Sequence, residues 1–222
     1  MKRKIGIVIM FLGALLILGA FLLFFQNQKE QRLAAESVEK LMPQVAEAIL
    51  ERHRERLELQ SKPLTEPAST PEADPPPEEL PEVPVTEPLK TRMPQVEIDG
   101  HNYVGFIRFH SAELELPVMA DWSYPQLKIA PCRFSGDMYT DDLVIMAHNY
   151  DRLFGVLHKL KVGDRITVSD MDGAMTDYIV VAMDVLLPTA VEEMTAGEYD
   201  LTLFTCTYGG ENRVTARCEK AE

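Results

Sequence analysis

The stretch LTLFTCTYGG (residues 201–210), followed at once by ENRVTARC (residues 211–218), decides the fold of this chain. Its first part alternates large apolar residues with threonine, as a β-strand does, and ends on Cys206. A glycine turn follows, and a second β-branched run then opens on Arg213. A cysteine at a strand end, beside a turn and a cation, can be exposed with its thiolate stabilised, whereas one in mid-strand is an inert small hydrophobe. The pattern therefore predicts that Cys206 is a nucleophile with the Arg213 guanidinium beside it.

Composition divides the 222 residues unevenly, and only about the last 125 look globular. The formal net charge of −13 argues against nucleic acid or an anionic membrane surface as a partner, because both are bound by clustered Lys and Arg. No Cys and His spacing indicates a zinc site and no loop of the EF-hand type indicates calcium, so we expect no metal and no cofactor. Three cysteines are too few for a disulfide framework; Cys132 and Cys218 either form one bridge or stay as two buried thiols.

The first 25 residues predict a signal-anchor transmembrane helix. Lys2, Arg3 and Lys4 precede an uncharged run, residues 5–25, which as a helix reaches roughly 30 Å, enough to cross a bilayer core. A cleavable signal peptide is the competing interpretation, but its apolar core is usually only about 7 to 15 residues long. The positive-inside rule then keeps the N-terminus in the cytoplasm and puts the rest of the chain outside.

Residues 26–60 are strong helix formers and predict a helical stalk. Pro43 should kink or interrupt this helix. Its apolar stripe is too short to identify a coiled coil, so a solvated spacer and a dimerisation helix both remain open. The stripe recurs every three to four residues and consists of Ala34, Val38, Leu41, Val45 and Ile49.

Residues 61–95 are rich in proline and glutamate and predict a disordered linker. Few apolar residues and much like charge leave no core to offset chain entropy, and proline favours extended polyproline II. The segment is expected to act as a semi-rigid tether that holds a domain away from the membrane.

Residues 96–222 predict one domain, mainly β, in which short strands are separated by turn signals. Many short strands without interleaved long helices favour a closed barrel or a sandwich. Brief helices are expected near residues 154–160 and 191–196. The predicted strands are residues 103–109, 114–118, 143–147, 165–169, 178–187, 201–206 and 213–218.

His148 closes the other segment in which an apolar strand ends on a reactive polar side chain, LVIMAHN (residues 143–149). Together with TLFTC (residues 202–206) and an arginine shortly after the cysteine, this segment resembles the sortases. The likeness extends over about residues 103–218 and includes LELPV (114–118) and FGVL (154–157). The order along the chain is His148, Cys206, Arg213.

The resemblance implies a sortase-like closed β-barrel of about eight strands with short helices, and a cysteine transpeptidase of the Gram-positive cell surface. Cys206 would attack a carbonyl in the C-terminal sorting motif of a secreted protein and form a thioacyl intermediate. His148 would protonate the departing amine and later deprotonate the incoming one. Arg213 would stabilise the oxyanion. The acceptor amine would come from a peptidoglycan precursor or a pilin lysine.

Two residue types compete for these roles. Arg217 shares a strand face with Arg213, but Arg213 lies nearer the turn and so nearer the cysteine, which makes Arg217 the structural cation. The other histidines lack a strand-end setting beside a nucleophile; they are His53, His101, His110 and His158.

Two other functions were weighed. A papain-like or amidase-type cysteine hydrolase is disfavoured because in those families the cysteine precedes the histidine. A non-catalytic, membrane-anchored binding or scaffold domain remains the alternative, and it requires Cys206 to be merely packed.

Overall fold

The computed structural model describes residues 2–61 and 91–221. A single long helix, α1 (Lys2–Ser61), comes first, and a β-rich domain follows. The disordered linker expected at residues 61–95 lies almost entirely outside the described residues.

The domain is mainly β, and between residues 91 and 221 it contains nine strands joined by short helices and turns. The helices are α2 (Tyr124–Leu127) and α3 (Val191–Thr195), with 3₁₀ turns at His110–Ala112 and Phe154–His158. The strands are β1 (Val96–Ile98), β2 (His101–Phe109), β3 (Leu114–Met119), β4 (Cys132–Ser135), β5 (Leu143–Met146), β6 (Arg165–Asp170), β7 (Met175–Leu186), β8 (Leu201–Cys206) and β9 (Arg213–Lys220).

The sheet closes on itself. Its strand order is β1-β2-β3-β4-β5-β8-β9-β7-β6, and β6 pairs back with β2. That last pairing makes a ring of the strands β2 to β9, with β1 as an extra edge strand on β2. Most neighbours are antiparallel, but β3 with β4 and β5 with β8 run parallel. The predicted closed barrel of about eight strands is therefore confirmed.

One glycine permits the closing seam. Gly105 on β2 has a φ of +151°, and a Cβ there would lie 1.7 Å from the carbonyl oxygen of Ser169 on β6. Only a residue without a side chain allows this approach. Inside the ring, Phe109 and Phe154 are fully buried and meet edge to face, with ring centroids 5.7 Å apart. Closure of the ring thus places the apolar faces of all its strands in one interior.

Helix α1 packs against the outside of the barrel. Its apolar stripe is buried, with Ala34 and Val45 completely inaccessible, and it lies on β1, β2 and β3. Leu41 and Val45 share an apolar cluster with Tyr103 and Met119 of the barrel. An amphipathic helix is stabilised mainly by covering such a face, so the barrel explains why this segment is helical.

The structure answers two questions about this helix. The helix is continuous from the apolar segment through the stalk, and Pro43 does not interrupt it. The stripe is not a solvated spacer, since the barrel covers it. Contacts with the barrel run from Glu30 to Arg56 of the helix.

The sequence analysis did not predict two of the nine strands, β1 and β4. The structure also answers the question whether Cys132 and Cys218 form a disulfide. β1 and β4 are only 3 and 4 residues long, and neither is a run of apolar residues. β4 joins β3 through one residue pair, Met119 with Cys132. All three cysteines are free, so Cys132 and Cys218 are buried thiols without a bridge.

Candidate active site

The ends of three neighbouring strands bring the three predicted site residues together. Cys206 is the last residue of β8 and Arg213 the first of β9, and they are direct partners in the antiparallel register. Side chains of such a pair stand on the same face with Cβ atoms about 5 Å apart. On the other side, β5 runs parallel to β8 with Met146 beside Phe204, so two further residues bring His148 level with Cys206.

Two side-chain hydrogen bonds fasten these strand ends beyond the last ladder pair. The buried Thr205 hydroxyl donates to the carbonyl of Ala147 at 2.8 Å. The Asn149 side-chain amide donates to the carbonyl of Thr207 at 3.3 Å. Each bond joins the chain next to His148 with the chain next to Cys206, so the two reactive residues are held in a fixed register.

The turn between β8 and β9 orients the arginine. Gly209 and Gly210 take φ angles of +101° and +82°, which an ordinary L-residue adopts only with strain. The tight turn presents two carbonyls to the guanidinium: Arg213 Nη1 donates to the oxygens of Gly210 at 3.2 Å and Asn212 at 3.1 Å. Among the described residues, its Nε and Nη2 have no protein partner and are available to a substrate.

The three side chains line one cavity of about 240 Å³. Its walls are largely apolar and aromatic, and Phe134 packs edge to face on Phe204 with centroids 5.4 Å apart. Three larger open grooves of the described surface, about 470, 550 and 840 Å³, contain none of the three predicted residues. The apolar part of the wall comprises Trp122, Tyr124, Leu127, Phe134, Met146, Ala147, Pro188, Val191, Met194 and Phe204.

His148 is half-buried and stacks on Tyr150, with ring centroids 4.9 Å apart and planes 22° from parallel. Burial lowers the pKa of His148, a nearby carboxylate at Glu30 opposes that shift, and the Lys128 ammonium adds to it. No hydrogen bond joins the imidazole to the Cys206 thiol in the described chain. The two groups face one cavity, and the imidazole is biased toward its neutral form.

The three thiols differ in their accessibility. Cys206 is partly exposed at the cavity wall, whereas Cys132 and Cys218 are completely buried. Burial raises the pKa of both buried thiols to about 12. Because thiolate is the reactive form, the two buried thiols are poor nucleophiles near neutral pH, and Cys206 is the accessible one of the three.

Arg217 lies away from the cavity. The residue is only 5% exposed. Its guanidinium bonds to Asp184 at 3.3 Å and to Thr202 at 3.1 Å, and lies 5.3 Å from the ring centre of Tyr199. Its donors are therefore occupied by the fold, as expected of a structural cation.

None of the other four histidines lines the cavity. His53 is exposed on α1, and His101 opens β2. His110 bonds to the Thr167 hydroxyl at 2.8 Å, and His158 stacks on Tyr208 at 4.3 Å between centroids. Within residues 2–61 and 91–221, no group of three or more metal-ligating side chains is assembled.

The family model described as the sortase domain matches residues 107–221 of this chain. The chain belongs to the sortase family. Sortase A from Corynebacterium diphtheriae is similar in fold, with 22% identity, a TM-score of 0.50, and coverage of 55% of this chain and 62% of that one. Sortase C1 from Streptococcus agalactiae is 25% identical, with a TM-score of 0.50 and coverage of 57% and 71%. This chain therefore spans less than two thirds of the corynebacterial protein's length, and no relative with a curated description matches it.

Two residues near the site of this sortase domain had no signal in the sequence. Tyr150 follows the predicted histidine by two positions but carries no motif, and Glu30 is one acidic residue among many in a charged helix. Trp122 and Tyr124 line the cavity with 42% and 75% of their surface exposed, and Pro188 lines it as well.

Proposed function

We propose that this chain is a membrane-anchored, extracytoplasmic cysteine transpeptidase that cleaves a C-terminal sorting motif of secreted proteins and transfers them to an amine. The observation that supports this best is the meeting of His148, Cys206 and Arg213 at the ends of three adjacent strands around one apolar cavity. A nucleophile, an acid/base group and a fixed cation are the set that acyl transfer needs.

In the first half-reaction, the Cys206 thiol gives its proton to His148, and the resulting thiolate attacks the carbonyl carbon of the scissile peptide bond. The negative charge then moves to the carbonyl oxygen, and Arg213 stabilises it through its free guanidinium N–H groups. The C–N bond breaks as His148 protonates the departing amine. The product is a thioester between Cys206 and the new carboxyl end of the substrate.

In the second half-reaction, an acceptor amine from a peptidoglycan precursor or a pilin lysine attacks the thioester carbon. His148, now neutral, takes the proton of the attacking amine, and Cys206 leaves as thiolate. A new amide bond is formed and the enzyme returns to its starting state. The apolar wall of the cavity supports recognition of an apolar side chain in the motif, since few polar groups are there to bind a charged one.

The N-terminal half of α1 supports the anchoring part of the proposal. α1 is the one helix in the described chain long and apolar enough to cross a membrane. Its large apolar side chains from Ile9 to Phe25 are exposed, with no protein covering them. The basic residues before it favour a cytoplasmic N-terminus. Glu30, which contacts the barrel, is about 8 Å along the helix from Phe25, so the catalytic domain would lie at the membrane surface.

The test uses the full chain in detergent micelles or nanodiscs and a panel of fluorogenic peptides that carry sorting motifs, with an added amine acceptor. Cys206→Ala should abolish cleavage, and His148→Ala and Arg213→Ala should each lower kcat/KM by about 100-fold or more. His53→Ala, a histidine exposed on α1, is the matched control and should retain full activity.

Iodoacetamide labelling provides a second measurement that needs no substrate. Cys206 should be alkylated quickly, while Cys132 and Cys218 stay unlabelled in the folded protein. Cleavage that persists in Cys206→Ala, or equally slow labelling of all three thiols, would refute the enzyme and favour the scaffold alternative. The partial exposure of Cys206 in the cavity already supports the enzyme over a packed cysteine.

A further inference from the structure

Helix α1 reaches the candidate active site through one carboxylate. Glu30 accepts a hydrogen bond from the Tyr150 hydroxyl at 3.1 Å through one oxygen, and from the Lys128 ammonium at 3.2 Å through the other. These bonds, that from Lys128 foremost, lower the pKa of Glu30, so its carboxylate is ionised at neutral pH. Tyr150 is 7% exposed, and burial together with Glu30 raises its pKa to about 12, which keeps its hydroxyl a donor.

Tyr150 carries this contact to the imidazole. Its ring stacks on that of His148, so the position of the phenol plane limits how the imidazole can rotate. The backbone supports the same arrangement: Leu153 and Gly155 donate to the Tyr150 carbonyl, both at 2.9 Å, and Phe154 donates to the His148 carbonyl at 3.1 Å. A phenol held at its ring face by the histidine and at its hydroxyl by Glu30 has little freedom of its own.

The helix that supplies Glu30 is held to the barrel along several turns. Beyond the buried apolar stripe, Lys40 pairs with Asp99 at 3.2 Å. Near its far end, Arg52 bonds to the nearly buried Asp172 at 2.6 and 2.8 Å, and Arg56 pairs with the same carboxylate. Glu30 is therefore delivered to Tyr150 by the docking of the whole helix and not by its own two bonds alone.

We propose that Glu30 is a positioning residue for His148, acting through Tyr150, so that docking of helix α1 on the barrel completes the catalytic site. The inference rests on the proposed role of His148 as acid and base. The charged and titratable groups around the imidazole are Glu30 from α1, Lys128 after α2, Tyr150 of its own loop, and Cys206 and Arg213 across the cavity. Of these, Glu30 is the carboxylate that favours the imidazolium, the form that protonates the leaving amine.

The kinetic test compares Glu30→Ala, Tyr150→Phe and the double variant in the full chain, with Glu36→Ala as control. Glu36 is an exposed carboxylate on the same helix, so its removal changes the net charge equally without touching the barrel. Each of the two test variants should lower kcat by about five- to tenfold with little change in KM, because part of the 10²–10⁴ that a positioned acid supplies is lost. The double variant should lose no more than the worse single variant, since both remove one chain of contacts.

The titration of His148 and the pH dependence of the rate separate a positioning role of Glu30 from a simple loss of stability. Glu30→Gln keeps an oxygen that can accept from Tyr150 but removes the charge; it should retain most of kcat. In Glu30→Gln and Glu30→Ala, the His148 ring should titrate at lower pH by NMR, and the alkaline limb of the rate profile should move the same way. Glu36→Ala should leave both unchanged.

Two results would overturn the inference: a Glu30→Ala variant that matches Glu36→Ala in kcat and in His148 titration, or losses in Glu30→Ala and Tyr150→Phe that simply add. Failure of the proposed function is seen separately, because in that case Cys206→Ala retains whatever cleavage the wild-type chain has. The NMR titration of His148 reports on the contact with Glu30 in either case.

Discussion

The hydrogen bond from Thr205 to Ala147 joins the end of β8, next to Cys206, to the chain next to His148 after β5. Thr205 is 2% exposed, and its hydroxyl donates to the Ala147 carbonyl at 2.8 Å. Thr205→Val removes the hydroxyl and keeps the shape of the side chain, so the cavity and the barrel core stay filled. The variant therefore isolates the bond between the two strand ends.

The cost follows from the burial of both partners. A buried neutral hydrogen bond contributes about 1 kcal/mol, and leaving a buried carbonyl without that donor raises the loss in the free energy of unfolding to about 1–2 kcal/mol. For a domain of this size such a loss lowers Tm by roughly 3 to 8 °C. We also expect kcat to fall about tenfold, because His148 and Cys206 lose the bond that fixes their register.

Thr215→Val is the matched control. Thr215 lies on the neighbouring strand β9, is completely buried, and its hydroxyl has no hydrogen-bond partner among the described residues. Replacing it with valine removes an unsatisfied polar group, so the free energy of unfolding should stay the same or rise by up to about 1 kcal/mol. Activity should not change, since Thr215 does not line the cavity.

Thermal unfolding of the full chain, followed by near-ultraviolet circular dichroism in one detergent, gives the two Tm values beside the wild type. Peptide cleavage gives kcat on the same samples. Equal Tm values for Thr205→Val and Thr215→Val would show that the bond to Ala147 contributes nothing. A stability loss with unchanged kcat would show that it does not hold the histidine in register.

Further outcomes follow from the same structure. Asp172→Asn should increase amide hydrogen exchange near the end of α1 by about fivefold and leave the barrel strands unchanged. The reason is that the partly exposed ion pairs of Asp172 with two arginines contribute about 1 kcal/mol. Unchanged exchange would mean that docking of the helix does not depend on these ion pairs. Gly155→Ala should cost about 1–3 kcal/mol and much of the activity, since a Cβ there would lie 2.7 Å from the Tyr150 carbonyl oxygen; a wild-type Tm and rate would contradict this. The free energy of unfolding should fall as pH rises from 9 toward 12, because Cys132 and Cys218, with ordinary values of 9.0, have pKa values raised to about 12 by burial and lose protons more readily when unfolded. Denaturant titrations across that range check this, and a free energy of unfolding that does not fall would contradict it.

Much of the barrel was predictable because its strands carry local signals. Apolar runs, alternating or continuous, together with turn signals marked seven of the strands. The prediction placed Cys206 at the end of β8 and Arg213 at the start of β9, where the structure has them. β1 and β4 were missed because neither is a run of apolar residues, whereas β5 is equally short but continuously apolar. The 3₁₀ turn Phe154–His158 was predicted as a brief helix, because helix signals, like strand signals, depend on neighbouring residues.

The sequence by itself determined the order of a histidine, a cysteine and an arginine at strand ends, because strand ends and turns depend on neighbouring residues. It also marked the apolar stripe of α1, but a stripe shows only that something covers it. Only the tertiary structure decided that the barrel covers it, and that Glu30 therefore meets Tyr150, a residue 120 positions away. That contact depends on how a whole helix packs on a closed sheet, and no local pattern of residues carries such information.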